Sequence, residues 1–372
     1  MAEFNLRMQK YHDGSTLGLR LYMYNFWMSY QNKRFFESYW PAFKRSNDKK
    51  NIIKIIFELV KLTLIWKCLP YHYFRYGLYR KKYAFSKVLD YLPETVFYYE
   101  ILPKINKQMF LLDDKSVFED MLRGQNISYP KTVLKIVKHT IFDSDSNVIK
   151  SNQQVTKELK KVKSKVLFCK PSDCGSGGKD IFALRRFNGK FYDSSNKIFD
   201  YKYIQGIKLS DWIIQEGIEN SKDISSIYKY STNSFRVLTY FVPNQGAKVL
   251  YCILKFGNNK AITDNAHTGG VYVRVDTKTG FLDEIAYDEN LFEYKEHPLT
   301  RTTFKGNRIK NIEKVVKTAE LLGNKFPMLT FVGWDIALTD NGTVVLEGNS
   351  SPGLTIIQRT YNGMSEFIKL TK

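Results

Sequence analysis

The residues best equipped for chemistry lie near the end of the chain, in Phe331-Val-Gly-Trp-Asp-Ile-Ala-Leu-Thr-Asp-Asn-Gly-Thr-Val-Val-Leu-Glu-Gly-Asn-Ser-Ser-Pro-Gly353. The stretch reads as two apolar strands joined by a tight turn. It carries oxygen donors of the kind that hold hard cations: Asp335, Glu347 and Asn349. A carboxylate on an apolar strand is costly unless a cation or partner neutralises it. Acidic oxygens converging beside a glycine-rich end point to Mg²⁺ and phosphate. The alternative is an ordinary acidic hairpin whose carboxylates face solvent. The turn decides between faces. A two-residue Asn341-Gly342 loop would set Asp335 opposite Gly348 and put the two carboxylates on opposite faces. A three-residue Asp340-Asn341-Gly342 loop sets Thr339 opposite Thr343 and Asp335 opposite Glu347, with all these donors on one face. Asp-Asn-Gly suits a type I turn closed by a left-handed glycine, so the three-residue loop is the expectation.

A second candidate is Lys165 to Leu184, where two strands flank a loop carrying Gly175, Gly177 and Gly178. No helix and no Gly-Lys-Ser/Thr follow, so this is not a P-loop. Its backbone amides can still fold over phosphates, and Lys170 sits on the entering strand before Pro171. The elements that must position these groups follow from local pattern. Asp113 or Asp114 caps a helix that ends at Gly124. Val133 to Val137 reads as a strand, and a short helix runs to about Lys163. Asp211 to Ile218 is an apolar strand ending in polar groups. Ser234 to Phe241 and Lys248 to Phe256 are strands of one antiparallel sheet. Thr263 to Gly270 is a polar loop closed by glycine, Val271 to Val275 a strand, and Asn311 to Phe326 a helix.

The chain has 372 residues, a formal charge of +20 and 15% aromatic residues. That length supports two or three packed units with a sizeable core, and the aromatic content excludes a disordered chain. The charge suggests a polyanionic partner, an acidic membrane surface or a phosphorylated substrate. Cys68, Cys169, Cys174 and Cys252 show neither a CxxC pair nor zinc spacing, so a reduced, cytoplasmic setting is expected. The opening Met-Ala-Glu-Phe-Asn-Leu-Arg lacks an apolar h-region, so no cleavable signal peptide is expected.

Residues 1–110 are basic and aromatic. Leu19 to Tyr30 is rich in Tyr, Phe and Trp. Asn51 to Leu69 is the most apolar run, but Lys54, Glu58 and Lys61 recur at helical spacing as one polar stripe, with Lys67 nearby. This predicts an amphipathic helix rather than a membrane span. Tyr71 to Tyr83 interleaves aromatic rings with cations. That mixture suits the headgroup zone of an anionic membrane. It also suits stacking on single-stranded nucleic acid, the least favoured reading, or a helical subdomain packed on the rest.

Taken together, Lys170 before a Gly loop, Gln215-Glu-Gly-Ile218, Arg236 on a strand, and Asp335, Glu347 and Asn349 on the last hairpin resemble the ATP-grasp superfamily. Within it, Asp113-Asp-Lys115, Phe168-Cys-Lys-Pro171, Ser234-Phe-Arg236, Asp264-Asn-Ala-His-Thr-Gly-Gly270, His297-Pro298 and Gly333-Trp-Asp335 with Glu347-Gly-Asn349 are similar to the sugar-transfer-associated ATP-grasp group. The resemblance spans roughly residues 95–358, with a Tyr/Phe-rich lead-in over 70–95. It implies an α+β fold in which two subdomains with antiparallel sheets grip ATP. The implied division is a helical N-terminal region over 1–110, a small subdomain over 111–217 and a large one over 218–372. Lys115 and Lys170 would contact nucleotide phosphates, and Gly175, Ser176, Gly177 and Gly178 would close over them. Gln215, Glu216, Gly217 and Ile218 would form the adenine edge and hinge. Arg236 would stabilise the transferred phosphoryl group. Asp335, Glu347 and Asn349 would hold Mg²⁺, as two ions, with Mn²⁺ as a substitute. Asn265, His267, Gly269 and Gly270 would line the acceptor side. The sequence departs from the group in placing Cys174 and Ser176 where a denser glycine run is usual, and in its long basic N-terminal region.

The implied function is a carboxylate–amine ligase working through an acyl phosphate. It would join an amino acid or amino sugar to a carboxylate-bearing sugar or glycan during surface-polysaccharide or capsule assembly. The setting is the cytoplasm or the cytoplasmic face of the membrane. One rival is an ATP-grasp kinase acting on a sugar or other hydroxyl. Another is a non-catalytic basic module that binds membrane or nucleic acid through residues 1–110.

Overall fold

The structure, a computed structural model, describes residues 32–172, 181–207 and 211–371. The aromatic stretch Leu19 to Tyr30 and the loop with Gly175, Ser176, Gly177 and Gly178 lie outside the described residues, as does the side chain of His267.

Helix α1 (Ile52–Trp66) and several short helical turns lead to α2 (Lys115–Gly124). Next come β1 (Thr132–Val137), β2 (Thr140–Asp143), β3 (Val148–Ile149) and helix α3 (Asn152–Lys161). Strands β4 (Val166–Pro171), β5 (Phe182–Phe187), β6 (Lys190–Tyr192) and β7 (Trp212–Glu216) complete a seven-stranded sheet of order β3-β2-β1-β7-β4-β5-β6. The second sheet starts with β8 (Phe235–Val242), β9 (Gly246–Phe256), β10 (Val271–Val275), β11 (Leu282–Tyr287) and β12 (Glu293–Tyr294). Helix α4 (Ile312–Lys325) precedes β13 (Phe331–Thr339) and β14 (Gly342–Asn349). This sheet also has seven strands, in the order β12-β11-β10-β9-β8-β13-β14. Two helices close the chain, α5 (Thr355–Tyr361) and α6 (Ser365–Thr371). Every named strand pair in both sheets is antiparallel.

The second sheet is covered on both faces, which explains why β13 is apolar almost throughout. Val315, Ala319 and Leu322 of α4 pack on Val237, Leu254 and Trp334. On the other face, Phe97 and Leu102 from the N-terminal region join Ile357 of α5 and Phe367 of α6 over Leu238, Tyr251 and Phe331. Two buried amides fix this cover. Asn106 Nδ2 donates to Phe331 O (2.6 Å) and Ser350 O (2.8 Å), and its Oδ1 accepts from Phe331 N (3.0 Å). Gln358 accepts from Leu92 N (2.7 Å) and donates to Leu92 O (3.0 Å).

The last hairpin reaches the expected pairing by another route. Thr339 pairs with Gly342, so the loop is the two-residue Asp340-Asn341 rather than three residues. Thr339 closes it: its Oγ1 donates to Gly342 O (2.9 Å) and accepts from Asn341 N (3.1 Å). A bulge then shifts the register after Ile336, which pairs with Val345, so that Asp335 faces Glu347 and Gly333 faces Asn349. The bulge, not the loop length, brings the donors to one face.

Helix α1 forms where expected, but inverted. Glu58, read as part of a solvated stripe, is buried with Ile55 and Leu62. It accepts from Lys50 Nζ (2.7 Å) and Tyr73 Oη (2.6 Å). A paired buried glutamate and a solvated one have the same periodicity, so spacing could not tell them apart. The rings of Tyr71 to Tyr83 also differ from a lipid-facing arrangement: Tyr73, Tyr76, Tyr79 and Tyr83 belong to a core cluster with Phe43 and Leu62. Among the described residues no helix is long and apolar enough to cross a membrane.

Candidate active site

On the second sheet, Arg236 and Glu347 flank Asp335 in register on β8 and β14. Arg236 Nη2 donates to Asp335 Oδ2 (2.8 Å), and its Nε donates to Oδ1. Lys255 Nζ donates to the same Oδ2 (2.8 Å) and lies 3.4 Å from Asp264 Oδ1. Asp264 Oδ2 in turn accepts from Ser234 N (2.8 Å) and Ser234 Oγ (2.6 Å). The result is a buried chain of alternating charge. Burial alone would raise the Asp335 carboxyl, but Arg236 and Lys255 outweigh it and hold the group at about 2. At Asp264 burial wins over Lys255, and its carboxyl is shifted upward. Gly333 makes room for this arrangement: a Cβ there would stand 2.9 Å from Pro352 Cβ and 3.0 Å from Arg236 Cδ.

Glu347 and Asn349 are half-buried on the same face. Asn349 Nδ2 donates to Gly333 O (3.3 Å), which leaves its side-chain oxygen as a donor toward the site. Glu347 forms no ion pair among the described residues, yet it acts electrostatically on both Arg236 and Lys170. An all-oxygen set of two carboxylates and an amide suits a hard dication such as Mg²⁺ or Mn²⁺. Among the described residues no cluster of three or more His, Cys, Asp or Glu has metal-binding geometry. Among the described residues Glu347 and Asn349 have open side-chain oxygens, while Asp335 is engaged by two cations, with which a metal would have to share it.

The first sheet supplies positive charge. Asp114 caps α2 by accepting from Ser116 N (2.7 Å) and Val117 N (2.9 Å). The cap places Lys115 at the helix start, where its N–H donates to Ser172 O (2.9 Å) just beyond β4. Lys170, on β4 opposite Ile213, feels Lys115 directly. Burial first, then the like charge of Lys115, pull the Lys170 ammonium down to about 8, against the pull of Glu347 and Glu119. Lys170 thus feels both a like charge from α2 and an opposite one from β14.

The hinge residues mostly serve the fold. Gln215 Nε2 donates to Glu119 Oε2 (3.3 Å) and Thr132 Oγ1 (3.2 Å), tying β7 to α2. Glu216 accepts from Lys163 N (3.3 Å) and Ser164 N (3.1 Å). Gly217 N donates to Val166 O (2.8 Å), and Ile218 O accepts from Thr232 Oγ1 (3.0 Å). Helix α2 thus bridges the two sheets, since its Phe118 also stacks on Trp334 with ring centroids 6.3 Å apart.

On the other side, Asn265 precedes a 3₁₀ turn over Ala266–Thr268 that includes the His267 backbone. Asn265 O accepts from Gly270 N (3.1 Å). Only glycine fits at 270, because a Cβ would stand 2.7 Å from both Asn265 O and Asp264 O. His297 is structural: Nε2 donates to Gly257 O (2.8 Å), Nδ1 accepts from Leu299 N (3.2 Å), and the ring stacks on Tyr228. Sequence reasoning missed Lys255. The available signal was a lysine in an apolar strand, two positions from Ile253, which pairs with Arg236.

No curated protein matches the sequence. The chain is similar in structure to N5-carboxyaminoimidazole ribonucleotide synthetase in complex with ADP, with 10% identity and a TM-score of 0.39 over 66% of this chain and 47% of that one. It is also similar to D-alanine–D-alanine ligase from Bacillus anthracis, with 13% identity and a TM-score of 0.38 over 72% of this chain and 67% of that one. D-alanyl-alanine synthetase A from Vibrio cholerae O1 gives 11% identity and a TM-score of 0.39 over 70% of this chain and 64% of that one. The model of the sugar-transfer-associated ATP-grasp family matches residues 98–370, from the turn that packs Phe97 on β13 to the last helix. With that match along most of its length, the chain belongs to the sugar-transfer-associated ATP-grasp family.

Proposed function

We propose that this protein is an ATP-dependent carboxylate–amine ligase of glycan biosynthesis, working in the cytoplasm. The γ-phosphoryl group of ATP passes to a carboxylate oxygen, giving an acyl phosphate and ADP. A neutral amine attacks the acyl carbon, phosphate leaves, the nitrogen loses a proton, and an amide remains. The carboxylate belongs to a sugar or glycan and the amine to an amino acid or amino sugar.

One observation carries this reading. Lys170 of the first sheet is within electrostatic reach of both Lys115 and Glu347, the latter on the second sheet. This supports a reading in which phosphate-binding cations and metal-type oxygens serve one site. In this reading Lys115 and Lys170 bind phosphates, and the amides of Gly175, Ser176, Gly177 and Gly178 close over them. The segment Gln215, Glu216, Gly217 and Ile218 borders the adenine, through its backbone where its side chains are engaged. Arg236, aimed by Asp335, meets the charge on the transferred group. Glu347, Asn349 and a share of Asp335 hold Mg²⁺, which neutralises phosphate charge. Asn265 and His267 position the acceptor.

The test is ADP release with uronic acids paired against amino acids and amino sugars, followed by mass analysis. The expected result is ADP formation that needs both partners and a product lighter than their sum by one water. A stable phosphoester of a hydroxyl would overturn the reading in favour of a kinase. Absence of any thermal shift with ATP and Mg²⁺ would overturn both.

A further inference from the structure

The inversion of α1 leaves an apolar face turned outward. Ile53 is 75% exposed, Leu64 72% and Phe57 57%, with Ile56 and Val60 between them. These residues recur at helical spacing and form one continuous stripe. A groove of about 410 Å³, lined by Phe35, Leu59, Val60, Leu64, Leu69 and Phe74, continues that surface toward the next short helix. We propose that this face docks on an anionic lipid bilayer, lying in the plane of its surface.

Charge selects this occupant. Lys54 and Lys61 are exposed along one edge of the stripe, and Lys67 stands just beyond its C-terminal end. Lys61 Nζ lies 4.3 Å from the Phe57 ring centroid, at the border of the apolar surface. The helix has one acidic residue, Glu58, which points inward and is neutralised by Lys50. Among the described residues, the helix itself therefore turns outward apolar rings and chains edged by cations, with no carboxylate of its own on that face. That is the pattern of a helix that buries its apolar side below lipid headgroups while its lysines meet anionic phosphates. A second copy of the chain would bring the same lysine edge against itself, in a molecule that already carries a formal charge of +20. The helix is too short to span the bilayer.

The test is co-sedimentation of the full chain with vesicles of phosphatidylcholine and phosphatidylglycerol in equal parts, beside pure phosphatidylcholine. Binding is expected to the mixed vesicles and to weaken with salt. Phe57→Glu with Leu64→Glu should lower it by about tenfold or more. Lys54→Glu with Lys61→Glu should weaken binding and flatten its salt dependence. All these positions are exposed and outside the catalytic machinery, so thermal unfolding and vesicle-free ATP turnover should stay unchanged. No sedimentation of the full chain, or equal sedimentation of the Phe57/Leu64 variant, would overturn the proposal. A concentration-dependent dimer in light scattering that the same variant abolishes would overturn it in favour of self-association. The ligase reading does not depend on the outcome.

Discussion

On the second sheet Asp335 lies between Arg236 and Lys255, with an ion-pair contact of 2.8 Å to each. On the first sheet Lys170 feels Lys115 of α2, a charge of its own sign. The two halves of one site thus treat buried charge in opposite ways. The Asp335 network is complete before any ligand arrives and holds Arg236 in a fixed orientation. Around Lys170 a like charge opposes the ammonium, and in the proposed reading nucleotide phosphates offset that opposition. In the proposed reading, preorganisation and nucleotide affinity then fall to different sheets.

The sharpest way to break this comparison is to neutralise the two carboxylates of the second sheet in turn. Asp335→Asn leaves Arg236 and Lys255 without their shared counter-charge and should destabilise the protein by about 3–5 kcal/mol in urea unfolding. Glu347→Gln breaks no ion pair and should stay within about 1 kcal/mol of wild type. Both should lower ADP release by about a hundredfold or more. Equal stability of the two variants would show that the network does not preorganise the site. A smaller effect follows from acid. Asp335 is held at about 2 against an ordinary 3.8, so its contribution is full above about pH 4 and is lost as pH falls through about 2. Wild type should lose about 2 kcal/mol more than Asp335→Asn across that interval.

The lysine side predicts the opposite trend. Lys170 titrates at about 8 when folded and at its ordinary 10.5 when unfolded, so the free protein gains stability as pH rises from about 8. In the proposed reading, nucleotide phosphates would raise the folded value again. Binding near pH 8 should take up part of a proton, visible as a buffer-dependent enthalpy in calorimetry. Lys170→Met should abolish that uptake and weaken nucleotide binding by about ten- to a hundredfold. The smallest effect should come from Glu216→Gln, which loses part of its bonding to Lys163 N and Ser164 N. A cost of about 1 kcal/mol in unfolding, with nucleotide affinity nearly unchanged, would place that side chain in the fold rather than at the base.

The strands were legible because alternation and turn residues mark them locally, and Asp114 was legible as a cap for the same reason. Asp335, Glu347 and Asn349 stood out by residue type, and the hairpin brings them to one face. The hairpin route was not, since the bulge that realigns Asp335 with Glu347 depends on neighbouring strands rather than on Asp-Asn-Gly. Lys255 was hidden because the partner it hydrogen-bonds, Asp335, lies 80 residues away. The orientation of α1 failed for a related reason: Glu58 is satisfied by Lys50 and Tyr73, contacts that only the folded chain reveals.

The amide bridges of Asn106 and Gln358 have a consequence for how the chain is made. Leu92 meets Gln358 across 266 residues, and Asn106 meets Phe331 across 225. At about 5–20 residues per second, the segment bearing Phe97 and Leu102 leaves the ribosome on the order of tens of seconds before β13 and α6 exist. Its apolar side must stay shielded through that interval, and a nascent chain released before Phe367 would keep it bare. Assembly of the site is therefore among the last events of synthesis, although the segment that braces its floor is among the first to emerge.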